Sequence, residues 1–257
     1  MTVRLHGMVC GWLTVPLGVL IDGETGEIKI PIPCYLIDHP KGMALFDSGL
    51  RGGLTDPKDP VHAIYEGLGV KVHFAPGEEL VGRLAALGRG VTDIRFLVNS
   101  HLHFDHCGGN HLVPDAPVVI QRREWEAGFV PELQQANGYF QDDYDLGHDI
   151  IQVDGEHDLF GDGTVVCVPT YGHTPGHQSL KVRLADREIL LTADACYFRS
   201  TLADLRLPQL VYDKDEMRAS LLRLRALQAK GAQLFFGHDP DFWGGKSGAP
   251  IDYGKLS

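Results

Sequence analysis

The sequence predicts an α/β (α+β) protein built as a four-layer αββα sandwich, in which two sheets face each other and helices cover both outer faces. Apolar, strand-like runs alternate with helical patterns along the chain. Several of these runs end close to a side chain that can bind a metal ion. Such side chains form a shared site only if the strands that precede them end at the same edge, so we expect these strand ends to lie together. No linker divides the chain, so residues 1–257 are expected to form a single domain.

The first third of the chain supplies strands, one insertion and a helix. The uncharged stretch Met8 to Ile21 is interpreted as a strand and loop, because it contains Gly and Pro and lacks a signal-peptide cleavage site. Strands are predicted at Ile30 to Asp38 and at Met43 to Asp47. Residues 50–76 are rich in Gly, Pro and Asp and are expected to form a loop insertion. A helix is expected over Glu78 to Leu87, whose leucines share one face.

The remaining elements alternate in type. Val118 to Ile120 is expected to be a short strand, and Arg122 to Gln141 a helix that is broken near Pro131. The clearest helix is predicted over Asp213 to Gly231, because a capping-box pattern opens it, apolar residues recur at helical spacing and glycine ends it.

The densest group of ligand-type side chains is His101-Leu102-His103-Phe104-Asp105-His106, which directly follows the apolar run 94–100. Alternate residues of an extended segment point the same way, so His101 and His103 can bind one ion while Asp105 and His106 face a second position. A lone His-x-His can arise by chance in a chain with 13 histidines. Three histidines and an aspartate within one short stretch after a strand indicate a metal site instead.

The same pattern recurs later in the chain. Apolar runs end shortly before a ligand-type residue at three further places: 165–169 before His173, 188–192 before Asp194 and 233–236 before His238. The spacing does not choose between His173 and His177, since both lie in the segment Gly172-His173-Thr174-Pro175-Gly176-His177.

Composition narrows the choice of partners. The formal net charge is −11, whereas phosphate binding needs clustered Lys and Arg, so nucleic acid is not expected as a partner. No window reaches the ~18 unbroken apolar residues of a membrane span, and no membrane partner is expected. The five cysteines show no Cys-x-x-Cys spacing and most lie in apolar runs, which indicates reduced thiols and a cytoplasmic location.

The ordered set of candidate ligands resembles that of the metallo-β-lactamase superfamily: His101, His103, Asp105, His106, His173, Asp194 and His238. Within it, the stretches His-Leu-His-Phe-Asp-His-x-Gly-Gly-Asn, Gly-His-Thr-Pro-Gly-His-Gln-Ser-Leu, Asp194-Ala-x-Tyr197 and Phe-Phe-Gly-His-Asp resemble the N-acyl homoserine lactonases. The resemblance spans about Pro31 to Asp239. It implies a hydrolase that opens the lactone ring of N-acyl homoserine lactones, which is quorum quenching, with a small-molecule lactone as its partner.

The resemblance also implies a dinuclear centre. One metal would be held by three histidines and the other by Asp105 and two histidines, with Asp194 bridging: His101, His103 and His173 for the first, His106 and His238 for the second. Two divalent ions are expected, with zinc as the first candidate and iron, cobalt or manganese as alternatives. Two such ions lower the pKa of a shared water from near 16 toward ~7, which supplies a metal-bridging hydroxide to attack the lactone.

Further residues receive roles from the same resemblance. Asp105 would carry a proton to the leaving ring oxygen, and Tyr197 would hydrogen-bond the tetrahedral intermediate. Phe104 and Tyr197 would contact the substrate. Asp47 would lie behind the ligands and orient a histidine.

Other functions share this set of residues. A different lactone, such as a pyridoxolactone or an alkyl lactone, would use the same machinery, and so would a thioesterase of the glyoxalase II type, although no basic cluster is placed for a glutathione carboxylate. A β-lactam hydrolase is less favoured because a bridging Asp194 resembles the hydrolase branch. A non-catalytic metal-binding protein would be expected to have lost ligands, and none is missing. In lactonase relatives the insertion contributes to a dimer, so a homodimer is also expected.

Overall fold

The structure is a computed structural model, which describes residues 2–243 and 250–254. Within these residues, two sheets account for the strands. The larger sheet contains β1 (Arg4–Pro16), β2 (Glu27–His39), β3 (Gly42–Phe46), β4 (Lys71–His73), β5 (Ile94–Val98), β6 (Val118–Gln121), β7 (Ile150–Val153) and β13 (Ile251–Asp252). The smaller sheet contains β8 (His157–Asp158), β9 (Val165–Pro169), β10 (Gln178–Arg183), β11 (Glu188–Leu191) and β12 (Gln233–Phe235).

The helices connect these strands. They are α1 (Leu17–Leu20), α2 (Val61–Gly67), α3 (Leu80–Ala86), α4 (Phe104–Cys107), α5 (Arg122–Ala127), α6 (Pro131–Asn137), α7 (Arg199–Asp204), α8 (Lys214–Ala229) and α9 (Pro240–Trp243). Short 3₁₀ turns lie at Gly52–Thr55, Val91–Asp93, Asn110–Leu112, Gln141–Asp143 and Ala193–Ala195. The predicted break at Pro131 separates α5 from α6.

The order of strands brings several carboxyl ends to one side. In the larger sheet the order is β13-β1-β2-β3-β5-β6-β7, with β4 paired to β1, and β3, β5, β6 and β7 run parallel. In the smaller sheet the order is β12-β11-β10-β9-β8. Because β10 is antiparallel to both β9 and β11, and β12 is parallel to β11, the strands β9, β11 and β12 share one direction.

Alternation along β2 shows how the layers form. Tyr35 and Ile37 pack in the core between the two sheets, together with Ile189 and Leu191 of the smaller sheet. Cys34 and Leu36, which point to the opposite face, pack in a separate outer core. Successive strand side chains point to opposite faces, so both faces of this sheet are buried.

Helices cover the outer faces of both sheets. Leu80 and Leu84 of α3 contribute to the outer core on the larger sheet. Leu221 and Leu224 of α8 pack on the outer face of the smaller sheet. The layers therefore run helix, sheet, sheet, helix, which confirms the predicted αββα sandwich.

The structure corrects one expectation. The segment 50–76 is not an unstructured loop, because it contains a 3₁₀ turn, α2 and β4. The β4 strand pairs with β1 and includes His73, which had no strand signal in the sequence. Tyr65 of α2 is buried and stacks on Phe104 with ring centroids 4.2 Å apart, so the segment packs against the metal-ligand stretch.

The start of α8 follows the prediction in part. Asp213 caps the helix, since its Oδ1 accepts hydrogen bonds from the backbone N–H groups of Asp215 and Glu216. The side chain of Glu216 does not complete a capping box and instead pairs with Arg123 of α5 at 3.0 Å. This ion pair connects α8, which packs on the smaller sheet, to α5, which follows β6 of the larger sheet.

Two further features concern the helices and the cysteines. Within residues 2–243 and 250–254, none of the helices combines the length and apolar character needed to cross a bilayer. The cysteines Cys10, Cys34, Cys107, Cys167 and Cys196 are all unpaired and buried.

Candidate metal centre

Strand ends from both sheets deliver the candidate ligands to one buried space. The chain leaving β5 carries His101 to His106, and the chains leaving β9, β11 and β12 carry His173, Asp194 and His238. Their ligand atoms form two groups, within each of which the atoms lie within 4.8 Å of one another: His101, His103, His173 and Asp194 in the first group, and Asp105, His106 and His238 in the second.

The nitrogens of the first group converge tightly. His103 Nδ1 lies 2.9 Å from His101 Nε2 and 3.1 Å from His173 Nε2. Asp194 Oδ2 lies 3.3 Å from His173 Nε2 and 3.7 Å from His101 Nε2. These distances bring three ring nitrogens and one carboxylate oxygen around one point.

The second group is arranged around the other oxygen of Asp194. Its Oδ1 lies 3.1 Å from His106 Nε2 and 3.0 Å from His238 Nε2. Asp105 Oδ2 lies 3.7 Å from each of these two nitrogens. Each oxygen of Asp194 therefore faces one group, which is the geometry of a carboxylate that bridges two cations.

Hydrogen bonds on the far side of the rings determine which nitrogens carry hydrogen in the first group. His101 Nδ1 donates to Ser100 Oγ at 2.9 Å, and His103 Nε2 donates to the carbonyl of Asn137 at 2.8 Å. His173 Nδ1 lies 3.3 Å from the hydroxyl of Tyr197. The centre-facing nitrogens of His101 and His103 are then lone-pair atoms, as a ligand requires.

The second group is oriented in the same way. His106 Nδ1 donates to Asp47 Oδ2 at 2.8 Å, and His238 Nδ1 donates to the carbonyl of Pro31 at 2.8 Å. Asp47 is itself held by Ser100, whose N–H and Oγ–H donate to its two oxygens at 2.7 and 2.8 Å. Asp47, to which the family resemblance gives the role of orienting a histidine, is thus hydrogen-bonded to His106.

The donor set fits divalent cations. Lone pairs of imidazole nitrogens that face one another at about 3 Å repel unless a cation lies between them. His106 Nε2 and Asp194 Oδ1 are buried and have no hydrogen bond of acceptable geometry among the described residues, although they lie 3.1 Å apart. Buried polar atoms without partners are costly, and a bound cation would satisfy both.

Backbone strain is concentrated at the same place. Asp47 and Ala193 have positive φ angles of 59° and 45°, which non-glycine residues rarely adopt. One aims the carboxylate that holds His106, and the other directly precedes Asp194. Strain of this kind persists where surrounding contacts impose it, and here it accompanies the convergence of the ligand side chains.

The structure decides between the two histidines that spacing left open. His173 belongs to the first group, whereas His177 does not. His177 is buried, its Nε2 accepts a hydrogen bond from the backbone N–H of Asp194 at 3.2 Å, and its Nδ1 pairs with Thr170 Oγ1 at 2.9 Å. His177 therefore holds the backbone of Asp194 in place.

Residues next to the centre show two environments. Tyr197 is buried, and burial together with Asp194 and Asp105 raises its pKa well above the usual value, so its hydroxyl stays protonated. Phe104 is half-buried, and its ring belongs to an aromatic group with Tyr65 and Phe140, whose centroids lie 4.2 and 6.4 Å away. One side of the centre thus offers a hydrogen-bond donor and another an aromatic wall.

Sequence reasoning missed two residues that the structure places against the ligands. Ser100 bonds both Asp47 and His101, and Glu124 accepts hydrogen bonds from both ligand-bearing loops. Ser100 stands next to His101 in the sequence, which was an available signal. Glu124 had none, because it lies on α5 among other charged residues.

Other histidines and cysteines of the described residues lie outside both groups. His62, His73, His148 and His157 contribute to neither, and neither do Cys107 and Cys196.

Fold and site together define a metallohydrolase-type protein, and comparison with known proteins gives its family. Residues 29–238 match the family model described as Metallo-beta-lactamase superfamily, and the chain belongs to this superfamily. The N-acyl homoserine lactonase AttM of Azorhizobium caulinodans is 35% identical over 253 residues, covering 90% of each chain. AiiA of Bacillus thuringiensis subsp. kurstaki, also an N-acyl homoserine lactonase, is 30% identical over 218 residues, covering 82% of each.

A solved structure agrees with these relatives. An N-acyl homoserine lactone hydrolase with the product N-hexanoyl-L-homoserine at its catalytic metal centre superimposes with a TM-score of 0.83 and 27% identity, over 94% of this chain and 95% of that one. Within the superfamily, the chain belongs to the N-acyl homoserine lactonase family, as the sequence motifs predicted.

The pKa values of histidines in the two groups are shifted in opposite directions, which leads to a testable consequence. Burial lowers the pKa of His101 well below its usual value, and burial and His173 lower that of His103 to about 3. Burial also lowers the pKa of His106, but Asp194, Asp105 and Asp47 outweigh it and raise the pKa well above the usual value. Burial likewise lowers the pKa of His238, but Asp194 and Asp105 outweigh it and raise that pKa. Without metal, the second group therefore favours charged imidazoles, while burial favours neutral His101 and His103.

We expect zinc binding to the second group to release a proton at pH 7, because only a neutral imidazole ligates a cation. The measurement is calorimetric titration of metal-free protein in buffers of different ionisation enthalpy. His103→Ala, which retains the second group, should keep the release, and His106→Ala should reduce it, since His238 is then the remaining histidine of that group with a raised pKa. Equal release from the two variants would contradict the assignment.

Proposed function

We propose that this protein hydrolyses the lactone ring of N-acyl homoserine lactones at a dinuclear metal centre. The observation that carries the proposal is the carboxylate of Asp194, whose two oxygens each face one group of converging ligand atoms. Relatives that cover most of the chain are N-acyl homoserine lactonases, and they supply the substrate class.

The metal ligands in this proposal are the members of the two groups. His101, His103 and His173 would hold one ion, Asp105, His106 and His238 the other, and Asp194 would contact both. Zinc is the favoured metal, because imidazole nitrogen with carboxylate oxygen is a donor set that zinc accepts, and iron, cobalt and manganese are the alternatives. Two such ions supply a hydrolytic nucleophile from water near neutral pH and polarise a carbonyl group.

Tyr197 is placed to act on the lactone carbonyl. When His173 Nε2 faces the centre, its Nδ1–H donates to the Tyr197 oxygen, and the Tyr197 O–H then donates to an acceptor other than His173. The raised pKa keeps that proton in place. We assign Tyr197 the stabilisation of the oxygen that gains negative charge as water adds to the carbonyl carbon.

Asp105 and Phe104 complete the proposed chemistry. The Asp105 carboxylate lies 3.7 Å from His106 Nε2 and His238 Nε2, beside the centre, where it would accept the proton of the attacking water. It would pass this proton to the ring oxygen as the carbonyl–oxygen bond breaks, which gives the open N-acyl homoserine. Phe104, with Tyr65 and Phe140, would contact the acyl chain of the substrate. Comparing the turnover of substrates with different acyl-chain lengths between Phe104→Ala and the unchanged protein measures that contact.

The direct test is hydrolysis of short- and long-chain N-acyl homoserine lactones by zinc-loaded protein, followed with a pH indicator. We expect rapid acidification, and we expect Asp194→Asn to abolish it and to lower the metal content, because the amide cannot bridge two cations. An aspartate far from the centre, as in Asp186→Asn, is the control and should leave both unchanged. Two bound metals without lactone turnover would transfer the proposal to another lactone or a thioester.

Replacing Tyr197 by Phe removes the proposed hydrogen bond and little volume. We expect the turnover number to fall by about 10²–10³, the usual cost of losing one such donor, with metal content unchanged. Phe198→Leu, at the neighbouring buried position, controls for general packing effects. A turnover number equal to that of the unchanged protein would remove Tyr197 from the mechanism.

Two broader features belong to the same proposal. The unpaired, buried cysteines support a cytoplasmic protein, because reduced thiols are typical of that compartment.

The exposed side chains of Ile64 and Leu68, on and next to α2, support a homodimer formed through the segment 50–76. We expect light scattering at micromolar concentration to give a dimer mass, and Ile64→Lys to reduce it; a monomer mass for the unchanged protein would contradict the dimer.

A further inference from the structure

A carboxylate outside both ligand groups connects the loops that carry them. Glu124 lies in the first turn of α5 and its side chain is fully buried. Its Oε1 accepts hydrogen bonds from the Leu102 N–H at 3.1 Å and the Tyr139 hydroxyl at 2.6 Å. Its Oε2 accepts from the Thr174 hydroxyl at 2.8 Å and the Gly176 N–H at 2.7 Å.

These four donors lie nearest in sequence to residues of the first group or to the residue that orients one of them. Leu102 separates His101 from His103, and Thr174 directly follows His173. Tyr139 follows Asn137 by two residues, and the Asn137 carbonyl accepts the hydrogen bond that orients His103. One carboxylate therefore joins three loops that come from different places in the sequence and meet at the first group.

The fit between Glu124 and the His173 loop is close. A Cβ atom at Gly176 would lie 2.2 Å from the backbone nitrogen of Glu124, so only glycine allows this approach. A Cβ at Gly172 would lie 2.1 Å from the backbone nitrogen of Met217 in α8, on the other side of the loop. The loop is held between two helices, and Glu124 supplies the polar contact on one side.

We propose that Glu124 is a positioning residue that holds His103 and His173 at the separation needed for one metal ion. The two carboxylate oxygens bind different loops. Oε1 accepts a hydrogen bond from the His101–His103 stretch, and Oε2 accepts hydrogen bonds from the His173 loop. The second group is held by other partners, Asp47 and the Pro31 carbonyl, and does not depend on Glu124. The inference rests on the proposed metal centre and is independent of which substrate is hydrolysed.

The chemistry of the site requires a carboxylate. Two of the four partners are backbone N–H groups, which can only donate, and an ionised carboxylate only accepts. Burial raises the pKa of Glu124, while the four hydrogen bonds oppose that shift. In Glu124→Gln the amide N–H₂ would face a donor on one of the two loops, which breaks the connection with little change in volume.

The experiment measures zinc affinity by competition with a chromophoric chelator in two backgrounds. His238→Ala retains the first group, and His103→Ala retains the second. We expect Glu124→Gln to weaken zinc binding 10–100-fold in the His238→Ala background, as is typical when a partner behind a ligand is removed, and to leave the His103→Ala background unchanged. After dialysis, the zinc content of the Glu124→Gln protein should fall from about two ions per chain to about one.

Controls separate positioning from general stability. Asp158→Asn alters a carboxylate that also accepts backbone N–H bonds, from Gly161 and Gly163, and should not change zinc affinity. Thr174→Ala removes one of the four bonds and provides a milder variant should Glu124→Gln fail to fold; it should weaken the first group in the same direction. Unchanged affinity in both Glu124→Gln and Thr174→Ala, or equal weakening of the two groups, would overturn the inference. Failure of the unmodified protein to bind two ions would instead reject the proposed centre.

Discussion

The central constraint on the structure is that several imidazole nitrogens lie close to one another and to the carboxylate of Asp194 in a buried space. Such atoms, buried and facing one another at about 3 Å, are unfavourable without a cation between them. The protein holds them there through a hydrogen bond to the outer nitrogen of each ring and through strained backbone at Asp47 and Ala193. The folding free energy of the remainder of the domain has to offset that cost.

The αββα sandwich provides the rigid framework that keeps these side chains close together. Strands of both sheets end at one edge, so each ligand follows a rigid element and has little freedom to move away. The apolar core between the sheets lies directly behind the centre and includes Phe46, Val98 and Phe235. Membership of the N-acyl homoserine lactonase family agrees with a site in which water rather than a protein side chain is the proposed nucleophile.

The ligand-bearing loops are connected to each other as well as to the sheets. Ser100 bonds Asp47 and His101 across the larger sheet, and His177 holds the backbone of Asp194 on the smaller one. Glu124 joins the two sides. The centre is therefore supported from behind by polar side chains that are themselves buried and hydrogen-bonded, which limits how far any one ligand can shift.

The sequence by itself determined the candidate ligands, the fold class and the family. Ligand-type residues follow apolar strand runs closely along the chain, and such local patterns can be recognised without knowing which distant residues meet. It also determined most strands and the helix that Asp213 caps. Only the tertiary structure decided between His173 and His177, revealed Glu124 and showed a helix and a strand within 50–76. These depend on contacts between residues far apart in the chain, as between Glu124 and Gly176 or Tyr65 and Phe104, and no local pattern encodes them.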